Sequence, residues 1–189
     1  LTAKNAVIDL AAMKQSNQHL NAWVKLNIES LGTFQFREAL MALTADHDIS
    51  NHAIVLEVRE TQAINLAAEV KTAMMQLRLK RFGLAIDAFG TGSASLSHLQ
   101  DIPFSIMNID QTLVQQALET KSGMAILESS IQLAKNLNLE TSVQGIEHEE
   151  QLELARRLGC DYLIGNLVAK AMRVQDLPDF LENWQGLAK

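Results

Sequence analysis

Short apolar runs rich in Val and Ile alternate with helix-period segments along this whole chain, and that alternation admits few folds. A helical stretch over about 6–19 precedes a strand-like run, Trp23-Val24-Lys25-Leu26-Asn27-Ile28. A helix is predicted over 34–44 and a strand over 53–58. Residues 67–82 read as a helix because Val70, Met74, Leu77 and Phe82 fall near helical spacing. Strands over 83–87 and 105–109, a helix over 123–138 and a strand over 140–144 follow. A helix over 149–158 and a strand over 162–164 come next, and a last helix starts near Leu177-Pro178, where proline suits a first turn. Parallel neighbours need a crossover whose helix lies on the sheet, so the pattern predicts an α/β fold with a parallel sheet. No Gly-x-Gly-x-x-Gly follows the first strand, so a dinucleotide-binding sheet is not indicated. About six strands are present, no Pro/Gly/Ser-rich linker divides them, and 1–189 reads as a single domain. A closed (β/α)8 barrel would need two more strands.

Composition narrows the function classes. With 48% apolar residues in 189, the chain can bury a substantial core. The net charge of −6 and the scattered basic residues argue against nucleic acid, which is met by clustered Lys and Arg. The one local cluster, Arg78-Leu79-Lys80-Arg81, ends a helical pattern, where cations complement the helix dipole. Cys160 is the only cysteine, which excludes an internal disulfide and a thiolate zinc cluster; it is read as structural. The five histidines lack ligand-like spacing and are read as surface or capping residues. No apolar run approaches the ~20 residues of a membrane helix, and Leu1-Thr2-Ala3-Lys4 has no signal-peptide layout. A cytoplasmic protein is expected. The missing initiator Met suggests a fragment or a processed chain.

A polar side chain stands at or near the C-terminal end of successive strands: Asn27, Glu57, Asp87, Asn108 with Asp110, and Gln144. In a barrel these ends converge on one mouth, where such folds place their sites. Oxygen donors of this kind suit Mg²⁺, Mn²⁺ or Ca²⁺ better than zinc or copper. Directly after one strand comes Asp87-Ala88-Phe89-Gly90-Thr91-Gly92-Ser93, a loop with two glycines and backbone donors fit to cradle a phosphate.

That loop resembles the Asp-Asp-Phe-Gly-Thr-Gly segment of EAL domains, the cyclic di-GMP phosphodiesterases of bacteria. Other landmarks follow in order. Leu26-Asn27-Ile28-Glu29-Ser30 resembles the family's Val-Asn-Leu-Ser, and Glu57-Val58-Arg59-Glu60 its Glu-x-x-Glu. Asn108-Ile109-Asp110 resembles Lys-Ile-Asp, and Gln144-Gly145-Ile146-Glu147 resembles Glu-Gly-Val-Glu. Leu158-Gly159-Cys160-Asp161 and Ile164-Gly165 resemble Leu-Gly-Cys-Asp and Gln-Gly. The resemblance implies a TIM-like (β/α)8 barrel of EAL type with one antiparallel strand. It also implies that the N-terminal part, with the Glu-Ala-Leu strand itself, is absent from this chain.

What the resemblance implies for function turns on the departures. Asn27, Glu57 and Asp87 match ligands of the first of two metals, and Glu60 matches the residue that anchors the glycine loop. Ala88 stands where the family has a second metal-binding Asp, and Gln144 where it has a Glu. Asn108 replaces the catalytic Lys, and Ile164 replaces a Gln. Each such loss typically costs about 10²–10⁴ in rate. Loss of the second metal site alone removes a two-metal mechanism. The expectation is a degenerate, inactive regulatory module that requires no cofactor and binds Mg²⁺ or Mn²⁺ weakly at most. Cyclic di-GMP is its candidate ligand, through Phe89, Gly90, Thr91 and Asp110. Other signalling domains or proteins are candidate partners, as is a second copy contacted through the helix bearing Leu96, Leu99 and Ile102. A residual or active phosphodiesterase is the alternative.

Overall fold

The computed structural model describes residues 2–15, 20–63, 66–90, 99, 101–184 and 186. Helix α1 (Thr2–Gln15) leads into strand β1 (Ala22–Lys25), followed by α2 (Ile28–Gly32) and α3 (Phe34–Asp46). Then come β2 (Ile54–Arg59), α4 (Ala68–Leu79), β3 (Gly83–Phe89) and β4 (Ile106–Ile109). The last third holds α5 (Gln111–Glu119), α6 (Lys121–Asn136), β5 (Glu140–Gln144), α7 (Glu149–Leu158), β6 (Tyr162–Ile164) and α8 (Leu177–Asn183). The six strands are parallel and lie in chain order, β1-β2-β3-β4-β5-β6. All six were predicted, and the α/β class holds.

Strand alternation divides the core into two layers. Leu56, Val58, Leu84, Ile86, Met107, Ile109 and Val143 belong to the large core shared with the helices. Val55, Ala85 and Ile106 face the other way and pack with Trp23 and Tyr162. Both faces of the central strands are therefore covered, which is why they read as near-continuous apolar runs. Trp23 of β1 and Tyr162 of β6 meet edge to face, with ring centroids 5.2 Å apart. In a flat sheet, five strand spacings would hold these strands roughly 24 Å apart. The sheet is thus curled into a half-barrel, with the pair closing across its inner face.

Local chemistry fixes the element ends. Arg78, in the last turn of α4, donates from its guanidinium to the Phe82 carbonyl oxygen at 2.8 Å, beyond the helix end. Gly159 ends α7 in the left-handed conformation, φ 71°, a common helix C-terminus. Asp161 accepts from the Thr141 N–H at 2.7 Å and the Thr141 hydroxyl at 3.0 Å, fastening the approach to β6 onto β5. Cys160 is half-buried beside this contact, and burial pushes its thiol pKa up.

Two expectations need correction. The strand predicted over 23–28 ends at Lys25, because Asn27 caps α2 instead of continuing the ladder. Helix α5 was not predicted. It is short, begins at the cap Asp110, and turns at once into α6, where Gly123 abuts the Gln116 carbonyl too closely for a Cβ. Among the described residues, no helix is long and apolar enough to cross a membrane.

Candidate functional site

Two residues beyond the inner apolar layer, the same alternation brings polar side chains to the same face at the strands' C-terminal ends. Trp23 is followed by Lys25, Val55 by Glu57, Ala85 by Asp87 and Ile106 by Asn108. On the last two strands, Ser142 is followed by Gln144 and Tyr162 by Ile164. These residues form the mouth of the half-barrel.

Three donors converge on two carboxylates there. Asn108 Nδ2 donates to Glu57 Oε1 at 2.6 Å. Gln144 Nε2 donates to Asp87 Oδ1 at 2.9 Å. The Lys25 ammonium lies 3.0 Å from Asp87 Oδ2, joining a side chain 62% exposed to one only 4% exposed. Glu57, Asp87 and Asn108 are buried. Burial, and then the neighbouring Asp87 charge, push the Glu57 pKa above the usual carboxylate range, while Lys25 and the Asn108 hydrogen bond pull it back. Among the described residues, Asn108 Oδ1 and Ser142 Oγ are buried without a hydrogen-bond partner. These residues sit opposite one another across β4 and β5.

The remaining expected residues are placed differently. Asn27 lies beyond the end of β1, and its Oδ1 accepts from the Glu29 N–H at 3.1 Å, so it caps its own helix. Asp110 Oδ1 likewise accepts from the Thr112 N–H at 2.9 Å and the Thr112 hydroxyl at 2.7 Å, capping α5. Glu60 is buried, and its Oε2 accepts from the Gly90 N–H at 3.0 Å. That bond ties the start of the glycine loop to the end of β2. Ala88 takes φ 58° where the register between β3 and β4 shifts. Phe89 is half-buried, Gly90 is exposed, and Ile164 presents an apolar side chain 42% exposed. Thr91, the following loop with Leu96, His98 and His19 lie outside the described residues.

Lys25 was missed in the sequence, although alternation could have found it: Trp23 points inward, so Lys25 must as well. The fit of this mouth to divalent metals is poor as it stands. The first-metal set implied by the resemblance is divided, since Asn27 faces its own helix while Glu57 and Asp87 are engaged by N–H donors. No group of three His, Cys, Asp or Glu side chains arranged to hold a metal occurs among the described residues.

A profile of the EAL domain matches residues 2–171. The cyclic di-GMP phosphodiesterase RocR of Pseudomonas aeruginosa is 30% identical over 168 residues, covering 89% of this chain and 43% of RocR. The oxygen sensor protein DosP of Escherichia coli is 27% identical over 176 residues, covering 92% of this chain and 22% of DosP. The chain thus spans less than half the length of these curated relatives. Among solved structures, the PaMucR phosphodiesterase in complex with c-di-GMP superposes with a TM-score of 0.84 at 27% identity, covering 93% of this chain and 71% of that one. The EAL domain of Mycobacterium smegmatis DcpA superposes at 0.88 with 22% identity, covering 95% and 81%, a likeness of fold. Sequence profile and half-barrel agree from α1 to beyond β6: the chain belongs to the EAL domain family.

Proposed function

We propose that this chain is a catalytically inactive EAL module of bacterial cyclic di-GMP signalling, acting as a nucleotide receptor or a protein-interaction domain. The observation that carries this reading is the pair of amides at the mouth. Asn108 and Gln144 occupy the positions of the family's Lys and Glu and donate into Glu57 and Asp87. A phosphodiesterase needs a cation near the attacked phosphate and anionic ligands for a second metal. These side chains supply neither, and Ala88 has no side-chain oxygen. Degeneracy of this kind fits a regulatory module of a cytoplasmic, multidomain protein, with Phe89, Gly90, Thr91 and Asp110 as the candidate ligand contacts. A working phosphodiesterase is favoured by one observation, the 30% identity to RocR.

The test is incubation of the purified protein with cyclic di-GMP and excess Mn²⁺. No linear dinucleotide is expected. Metal-dependent product that disappears in Glu57→Ala would overturn the proposal in favour of the enzyme. Isothermal titration with cyclic di-GMP then separates the two inactive roles, heat of binding marking the receptor.

A further inference from the structure

We propose that the Lys25 ammonium takes the place of a divalent cation at the half-barrel mouth, so that Glu57 and Asp87 are held by protein donors and metal is excluded. This deepens the non-hydrolytic reading and rests on it.

The position of the ammonium follows from the strand. Val24 enters the helix-side core, while Trp23 packs on the inner face with Val55, Ala85 and Ile106. Lys25, two residues after Trp23, must project to that inner face at the very end of β1. It stands opposite Glu57 across the β1–β2 ladder and reaches Asp87 on the following strand. Asp87 is almost fully desolvated, and a buried carboxylate is costly unless a cation or donors meet it. Here both of its oxygens are engaged: Oδ1 accepts from Gln144 and Oδ2 meets the ammonium. Glu57 Oε1 accepts from Asn108.

A divalent cation would compete for the same lone pairs. On Asp87 it would share the oxygens with an ammonium and an amide, and on Glu57 Oε1 with a second amide. It would gain little charge by doing so, because the two carboxylates are already offset in part by the ammonium. Mg²⁺ and Mn²⁺ demand several oxygen ligands, preferably anionic, in a fixed geometry. An ammonium is a single charge with three donors and suits a mouth with two carboxylates and amide neighbours. Although the Lys25 side chain is 62% exposed, its ammonium lies 3.0 Å from a carboxylate that is only 4% exposed.

The test counts metal and involves no nucleotide, so its outcome is separable from that of the hydrolysis assay. Bound Mn²⁺ is measured on the full chain by electron paramagnetic resonance, alongside melting in chelator and in millimolar Mn²⁺. The wild type is expected to leave Mn²⁺ free and to melt at one temperature in both. Lys25→Ala and Lys25→Met are expected to bind Mn²⁺ at least about tenfold more tightly, the scale of a change beside metal ligands, and to melt higher with metal. Lys25→Arg, which keeps the charge, should behave as wild type. Stoichiometric Mn²⁺ on the wild type would overturn the inference. So would Mn²⁺ affinity in folded Lys25→Ala and Lys25→Met no greater than wild type, or Mn²⁺ uptake by Lys25→Arg equal to theirs.

Discussion

Ala88 holds φ 58° where the β3–β4 register shifts, a left-handed conformation that crowds the Cβ of an L-residue against its own carbonyl. Asp and Asn tolerate that region better than Ala, so the Asp-to-Ala change implied by the family motif carries a backbone cost as well as a lost oxygen. Glycine removes the clash, although it gives the unfolded chain more freedom. Ala88→Gly is therefore expected to stabilise the protein by about 0.5–1 kcal/mol, read as a higher urea midpoint with unchanged slope. A fall in the midpoint would show that the Ala88 methyl makes contacts worth more than the strain. At Asn27 and Asp110, side-chain oxygens that the motif pattern offers to a ligand are turned to backbone N–H groups at helix starts. The same short polar side chains serve both uses, and local geometry decides between them.

Between elements, one buried carboxylate joins the end of β2 to the loop after β3. Glu60 Oε2 accepts from the Gly90 N–H, and a Cβ added at Gly90 would meet the Leu113 side chain of α5. The loop start is thus held by a charge-assisted hydrogen bond beside the Leu113 side chain. In Glu60→Ala the Gly90 amide should exchange with solvent at least about tenfold faster, as loss of a bond worth roughly 1.5–3 kcal/mol implies. Amides in the middle of β2 should be unchanged. Equal exchange at Gly90 in both proteins would mean that packing alone holds the loop. The placement of Glu60 was legible because the Glu-x-x-Glu spacing put it just past a strand end. Helix α5 was not legible, because nine residues with apolar side chains at Leu113, Val114, Ala117 and Leu118 give too short a period to separate from a loop.

At the scale of the molecule, the Trp23–Tyr162 contact joins the first and last strands of the curled sheet. Edge-to-face aromatic pairs contribute beyond their buried area. A double-mutant cycle on Trp23→Ala and Tyr162→Ala should give a coupling of about 0.5–1.5 kcal/mol, measured by urea unfolding. Strictly additive effects would mean that the two rings contribute independently to stability. Trp23→Ala alone should cost roughly 2–3 kcal/mol, less than a fully buried Trp because the ring is half-buried.

The sequence by itself determined the strand count, the parallel α/β class and the family, since each depends on local periodicity or on motifs read along the chain. Strand alternation also places Glu57, Asp87, Asn108 and Gln144 on one face, two residues after the inner layer. Only the tertiary structure decided what those residues do to one another. Lys25, Asp87 and Gln144 come from three different strands, and their contact depends on register and curl, which no local segment encodes. For the same reason Asn27 was expected with Glu57 and Asp87, although the end of β1 at Lys25 carries it into a helix cap. Pairing across the sheet is a long-range property of the chain, and here it sets a lysine of β1 against a buried aspartate of β3.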